Sequence, residues 1–298
     1  MTSVGVIAHS EKQLGGGLGE LRDALEKHGV DQPQWREVPK SKFAPKEIAK
    51  LVDAGVDLLF VWGGDGMVQR CVDAIGGAPV TLAILPAGTA NLFASNLDIP
   101  LDLEEAVRIG FSGNRRALDV GVVNGERFAV MAGTGIDALM IHEADGGLKD
   151  RLGRFGYVIS GVQAARHDPA RVRVEVDGRR WFKGEASAVL VGNMGDVIGG
   201  IAAFPDARPD DGRLNVGVVT ADGILDWARV LGKTAVGHTA SSPFVKTTTA
   251  RKILVELDAK RRYELDGGDR PKTKRLKFRI KPGAISVCVP ERPEREER

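Results

Sequence analysis

Short apolar runs and amphipathic stretches take turns along the first 120 residues, and the periodicity then changes. VGVIA (Val4 to Ala8), LLFVW (Leu58 to Trp62) and LAIL (Leu82 to Leu85) are apolar without alternation, the pattern of strands buried on both faces of a parallel sheet. Helical spacing follows each kind of run. Leu18, Leu21 and Leu25 precede a stop at Gly29, and Ile48, Leu51 and Val52 precede Gly55. Met67, Val68, Cys71, Val72 and Ile75 share one helical face, with Gln69, Arg70 and Asp73 expected opposite. The stretch holding Pro33, Pro39 and Pro45 reads as a loose connection. Asp102 with Glu105 three positions on forms a capping box for a helix ending near Gly110. This alternation specifies an α/β domain with a parallel, Rossmann-like sheet.

From about Ala117 the period is two. ALDVGVV and RFAVMAG flank Asn124-Gly125, and RVRVEV and RWFKGEA flank Asp177-Gly178, both hairpin dipeptides. Further strands are expected at SAVLVGN, RLNVGVV, KILVEL, RRYEL, LKFRI and AISVCV, with helix from His142 to Arg166 and from Ile224 to Val236. The expectation is a nucleotide-binding α/β domain over residues 1–120 and a mainly antiparallel β-sandwich over 121–298. The last strand and the charged tail ERPEREER are candidates to pack back on the first domain.

Size and composition permit this: 298 residues suffice for two cores, and 43% hydrophobic with 28% charged residues is a globular balance. Cys71 and Cys288 sit in apolar runs, as buried thiols in a reducing cytoplasm would. The chain start has no signal-peptide pattern and no apolar run is long enough to cross a bilayer, so the expected location is cytoplasmic, with any contact at the inner membrane face peripheral. Between Arg251 and Lys281 twelve Lys or Arg face five Asp or Glu, an excess of seven. That excess suits either a solvated sheet face or anionic lipid headgroups. Sparse aromatics and no recognition motif argue against nucleic acid.

The candidate chemistry lies in the turns. Gly63, Gly64, Asp65 and Gly66 follow a buried strand and open a helix, where glycines allow positive φ and close approach, and the helix N-terminus attracts phosphate. An acid there, Asp65, points to a bound cation or to a hydroxyl losing its proton. A bare tight turn is the alternative. PAGTAN, with Pro86, Gly88, Thr89 and Asn91, forms a second such elbow, and both would lie on the carboxyl edge of one sheet. In FPDARPDDGRLNV, Asp206, Asp210 and Asp211 precede a strand, either as a simple turn or as a Mg²⁺ site. YELDGGD, Tyr263 to Asp269, reads as a hairpin turn whose carboxylate is also a candidate proton acceptor.

GGDGM, PAGTAN, GTGIDA, VGNMGDVIGG, FPDARPDDGRLNV and ELDGGD, in this order, resemble the diacylglycerol kinase catalytic family in its soluble bacterial form, relatives of the sphingosine kinases. The resemblance implies an ATP- and Mg²⁺-dependent lipid kinase, with diacylglycerol the first guess and a homodimer possible in principle. It places Gly63, Gly64, Asp65 and Gly66, on through Met67 to Gln69, under the nucleotide phosphates, joined by Gly88, Thr89 and Asn91 of the second elbow and by Ser41. It makes Asp211 a Mg²⁺ ligand with the carbonyls of Arg208 and Arg213. The family's acidic turn normally reads Asp-Gly-Glu and holds the proposed base. This chain has Asp266, Gly267 and Gly268, so Asp269, Asp266 or Asp65 has to serve as the catalytic base. Met67 also replaces a usual threonine, and AHSEKQLGGG replaces an Asn-Pro element. The two substrates are expected in an interdomain cleft. Phe128, Met131, Leu139, Met140 and Ile141 are either an acyl slot or plain sandwich core, the latter favoured. An NAD kinase-like enzyme and a nucleotide sensor with little turnover are the alternatives.

Overall fold

The computed structural model describes residues 2–135, 169–198, 201–221, 226 and 242–291, which form two compact units. Unit 1 comprises Met1–Val120 with Pro282–Arg298, and unit 2 comprises Gly121–Lys281.

Unit 1 is built on β1 (Val4–His9), β2 (Gln34–Val38), β3 (Leu58–Gly63) and β4 (Thr81–Pro86). Their order is β2-β1-β3-β4, all parallel. Central strand β3 is buried along its whole length, as its unbroken apolar run requires. The helices are α1 (Leu18–Lys27), α2 (Ala44–Asp53), α3 (Asp65–Ile75), the short α4 (Leu92–Ser95) and α5 (Leu103–Ser112), with a 3₁₀ turn at Ser41–Phe43 before α2. Asp102 caps α5 as expected, its Oδ1 accepting the Glu105 N–H at 2.8 Å. Strand β2 corrects the reading of the proline stretch as loose. QWREV is an edge strand paired only with β1, and polar residues such as Arg36 and Glu37 are tolerated because only one neighbour covers it.

Among the described residues, the strand pairs of known direction in unit 2 are antiparallel. β5 (Asn114–Val123) crosses into it and pairs with β6 (Glu126–Phe128) across the Asn124-Gly125 turn. Then come β7 (Met131–Thr134), β8 (Ala170–Val176), β9 (Arg179–Ala186) and β10 (Ala188–Gly192). They are followed by a small ladder of β11 (Asp196–Ile198) with β12 (Ile201–Ala202), and by β13 (Leu214–Val219) and β14 (Val245–Ala250). Long strands β15 (Lys252–Leu265) and β16 (Gly268–Val289) complete it. The run β14-β13-β10-β7-β15 is continuous, and β15 also pairs with β8. Segments expected as separate strands, KILVEL with RRYEL and LKFRI with AISVCV, are therefore single long strands. The break in the apolar pattern of β15 is absorbed by shifted register between Glu256 and Tyr263. Beyond Lys281, β16 enters unit 1, where Ser286 and Val287 pair parallel with Thr81 and Leu82.

The unit 2 core includes Phe128, Val174, Val191, Val216, Val255, Leu265 and Phe278, so Phe128 is sandwich core. Met131 is likewise buried, while Leu139, Met140 and Ile141 lie outside the described residues. The helices expected from His142 to Arg166 and from Ile224 to Val236, apart from Asp226, and the tail after Glu291 also lie outside them. Both cysteines are buried and unbridged. Among the described residues no helix is long and apolar enough to cross a membrane.

Candidate active site

The sheet of unit 1 reverses direction of growth between β1 and β3, and ligands of open α/β sheets bind at the carboxyl ends of such strands. His9 ends β1, and Gly63 ends β3 in register with Pro86 at the end of β4. Burial and the charge of Lys12 hold the His9 imidazole below its ordinary pKa.

The two glycine elbows touch. A Cβ built on Gly64 would lie 2.9 Å from the Cα of Gly88, and one built on Gly88 would lie 2.4 Å from the Cα of Gly64 and 2.6 Å from Asn91 Oδ1. A Cβ on Gly63 would meet Met67 Cβ at 2.7 Å. None of Gly63, Gly64, Gly66 and Gly88 has a positive φ, which corrects the expectation that left-handed backbone explains them. At Gly64 and Gly88 what requires glycine is backbone lying on backbone. Ser41 joins the group, its Oγ being 3.7 Å from the Cβ position of Gly66. Thr89 is exposed beside Gly88.

Asn91 and Asp65 hold the second elbow in shape. Asn91 adopts a left-handed conformation, φ 47°, accepts the Gly88 N–H at 2.8 Å, and donates to the carbonyls of Pro86 and Gly88 at 3.1 and 2.8 Å. Asp65 is half-buried in the first turn of α3, where its carboxylate accepts the Phe93 N–H at 2.9 Å. Asp65 thus bridges the starts of α3 and α4 rather than facing open solvent. Burial pushes its carboxyl above the usual range, while backbone N–H groups of Phe93, Leu92 and Asn91 pull it down.

Two side chains named for the phosphate loop point inward. Met67 is buried, and Gln69, expected on the open face of α3, is 2% exposed. The correction has a simple cause: α3 is covered by α2, by the Ser41–Phe43 turn and by α4, so its polar side is also enclosed. What Met67 and Gln69 offer a ligand is backbone.

In unit 2 the acidic hairpin is a two-residue turn. Asp266 (φ 44°) and Gly267 (φ 76°) connect the paired Leu265 and Gly268, the left-handed combination that Asp-Gly favours. The Asp266 side chain, 7% exposed with its residue, accepts the N–H groups of Ala129, Val130 and Met131 at 2.7, 3.0 and 2.9 Å. From VGNMGD, Asn193 donates to the Ala129 carbonyl at 3.0 Å, so two of the motifs clamp one backbone segment. Asp269 is exposed, 3.4 Å from Arg262.

The Asp-Asp-Gly loop is seated by Phe204, whose ring lies within 2.7 Å of the Cβ position of Gly192 and 3.2 Å of that of Gly217. Asp211 Oδ1 accepts the Arg213 N–H at 2.8 Å across Gly212, a side-chain turn into β13. Arg208 and Arg213 are both exposed. Their carbonyls with one carboxylate are donors of the kind a hard cation takes. Among the described residues no group of three or more His, Cys, Asp or Glu is placed to hold a metal, so an ion here would depend on carbonyls and water.

Sequence reasoning passed over Glu126 and Arg270. Arg270 Nε donates to Glu126 Oε2 at 2.7 Å and Nη2 donates to Oε1. The signal available was Glu126 directly after a hairpin Asn-Gly.

Comparison with known proteins follows the same division. Residues 7–123 match the diacylglycerol kinase catalytic domain, and residues 130–289 match the YegS C-terminal NAD kinase beta sandwich-like domain. The "Probable lipid kinase YegS-like" protein of Pseudomonas aeruginosa is 31% identical over 253 residues, covering 83% of this chain and 81% of its own. The diacylglycerol kinase of Bacillus subtilis is 30% identical over 217 residues, 71% of each chain. A solved diacylglycerol kinase from Bacillus anthracis shares the fold, with a TM-score of 0.78 over 96% of both chains at 24% identity.

Proposed function

This chain belongs to the diacylglycerol kinase catalytic family and is a lipid kinase, and we propose that it transfers the γ-phosphoryl group of ATP to the hydroxyl of diacylglycerol. The observation that supports this most is the contact of Gly64 with Gly88, which makes one backbone floor of two elbows at the carboxyl edge of a parallel sheet.

On that floor the backbone from Gly63 to Gln69 lies under the phosphates, with the hydroxyls of Ser41 and Thr89 as side-chain donors. Asn91 acts by keeping the Pro86-to-Gly88 carbonyls turned away from the anion. Asp65, in the first turn of α3, orients the cation that accompanies ATP in this reading. Bound Mg²⁺ supplies charge to offset that of the transferring group. The carbonyls of Arg208 and Arg213 with Asp211 would hold a second, structural ion that stiffens the entry to β13.

The acidic hairpin supports a division of labour between its residues. Asp266 positions the turn, because its oxygens already serve three backbone N–H groups. Asp269 keeps an exposed carboxylate.

An open hollow of about 720 Å³ in unit 2 is lined by Lys252, Arg275, Lys277 and Arg279, with Glu175. It suits anionic headgroups and hence peripheral contact with a membrane from the cytoplasm. Sedimentation with phosphatidylglycerol vesicles, but not with phosphatidylcholine vesicles, is the expected outcome.

Purified protein with labelled ATP and Mg²⁺, offered diacylglycerol in mixed micelles and NAD in parallel, tests the main reading. Label is expected in the organic phase. Label confined to NADP would make the chain an NAD kinase-like enzyme, and nucleotide binding with no transfer to either would make it a sensor. Asp65→Asn is expected to lower transfer about 100-fold or more.

A further inference from the structure

Of the strands β1 to β4, only β1 ends in a side chain that can take part in a hydrogen bond. β2 ends in Val38, β3 in Gly63 and β4 in Pro86, whereas β1 ends in His9. His9 is in register with Val38, shortly before the Ser41–Phe43 turn. On its other side is Gly63, whose Cβ position lies 3.7 Å from the Cβ of His9. That Gly63 position also meets Met67 of α3 at 2.7 Å, so the imidazole leaves the sheet on the face that α3 covers. Ser41 approaches α3 as well, its Oγ being 3.7 Å from the Cβ position of Gly66. The exits of β2, β1 and β3 thus bring Ser41, His9 and the first glycine elbow to one side of the sheet, all within unit 1.

Most backbone donors in the loop from β1 to α1 are already engaged. The N–H groups of Ser10 and Lys12 go to the carbonyls of Val38 and His9 at 3.0 and 3.1 Å, and that of Gly17 goes to the Leu14 carbonyl at 3.0 Å. Glu11 N–H donates to His9 Nδ1 at 3.3 Å. Gly16 N–H donates to the Glu20 carboxylate. The Cβ positions of Gly15 and Gly16 each lie 2.7 Å from Glu20 Oε2, so a carboxylate of the chain itself occupies this glycine loop. A second anion there would meet like charge.

What remains at this exit is the far nitrogen of His9. The ring is half-buried; burial first, and then the charge of Lys12, lower its pKa against the opposing charge of Glu11, so it is neutral at pH 7. A neutral imidazole carries its proton on one nitrogen, and because Nδ1 accepts the Glu11 N–H, that nitrogen is Nε2. Among the described residues the Nε2–H has no hydrogen-bond partner. A donor fixed by its strand and by Glu11 is preorganised for an acceptor that a ligand brings. His9 also lies in AHSEKQLGGG, the stretch in which this chain departs from its family, so the feature is the chain's own.

We propose that the Nε2–H of His9 donates to a phosphate oxygen of the nucleotide lying on the glycine elbows of unit 1. The proposal rests on the nucleotide reading above and calls on no residue of unit 2. His9 is a binding residue in this account. A donor that holds a phosphate equally before and during transfer lowers the KM for ATP without raising kcat.

The test titrates the full chain with ATP and Mg²⁺ by calorimetry and measures diacylglycerol phosphorylation in mixed micelles, below the melting temperature of every variant. His9→Leu is expected to weaken ATP binding about tenfold and to raise the KM for ATP to match, with kcat within about threefold of the wild type. His9→Ala adds no bulk and is expected to follow it. His9→Gln returns an amide N–H near the place of Nε2 and is expected to stay within about threefold of the wild type in affinity and KM. ATP affinity within about twofold of the wild type in both His9→Leu and His9→Ala overturns the proposal, and so does a loss that His9→Gln shares in full. Wild-type protein that binds no ATP is a separate result, which refutes the nucleotide reading of unit 1 and the proposal together.

Discussion

In unit 1 Gly63, Gly64 and Gly88 keep ordinary backbone angles but have no room for a side chain, whereas in unit 2 Gly125 has open space around its Cβ position and φ 102°. The same residue type thus answers two physical demands. At Gly64 and Gly88 the demand is proximity, since two chain segments 24 positions apart press together. At Gly125 and Gly267 the demand is torsional, since a two-residue hairpin loop needs left-handed backbone at both central positions. The difference matters for function. A close-approach glycine joins two segments of backbone, while a turn glycine only aims the residue that follows it.

Substitutions can break this comparison, starting with the largest expected effect on stability. Asp266→Ala leaves three buried N–H groups without their acceptor and is expected to cost about 3 to 5 kcal/mol, measured by urea denaturation. A cost under about 1 kcal/mol would show that the turn is held by its backbone alone.

Gly88→Ala forces a methyl against the Gly64 backbone and is expected to cost about 2 to 3 kcal/mol and to weaken ATP binding by about tenfold or more, read by denaturation and by nucleotide titration. Unchanged affinity would separate the elbow contact from the nucleotide site.

Gly125→Ala meets no neighbour, and strain alone should cost about 1 kcal/mol, with Gly125→Asn cheaper because asparagine tolerates left-handed backbone. Thermal melting orders the two. If alanine proves the cheaper, the turn does not hold the left-handed conformation.

The smallest effect belongs to Asp65. Its carboxyl is raised above 3.8, chiefly by burial. A raised acid favours the folded state fully below its unfolded pKa, and that contribution is lost as pH rises through the folded pKa. Asp65→Asn keeps an acceptor for the Phe93 N–H but cannot ionise. The stability curves of the two proteins should therefore meet near pH 3.8 and below, and separate in favour of the variant as pH rises. Parallel curves would remove ionisation of Asp65 from the account.

Much of the fold was legible because it follows from local periodicity. Unbroken apolar runs marked β1, β3 and β4, and Asn-Gly, Asp-Gly and a capping box marked two hairpins and the start of α5. Strand β2 escaped because an edge strand with polar residues between two prolines carries no such period. The burial of Gln69 escaped because α3 is covered by α2 and α4 as well as by β3, which the spacing of its own residues does not show. At the candidate site the motifs marked the turns at Gly64 and Gly88, which the structure brings into contact. They did not show how each side chain is used, since Asp65 meets Phe93 28 positions away and Arg270 meets Glu126 144 positions away.

By itself the chain's order of apolar runs and turn dipeptides determined an α/β half followed by an antiparallel half, because strand, helix and hairpin each need only neighbours within a few residues. Only the tertiary structure decided that Gly64 rests on Gly88, that Asp266 accepts three backbone N–H groups, and that Glu126 pairs with Arg270. Those facts depend on contacts between residues far apart in the chain, and strand parity turns a shift of one residue into a change of face.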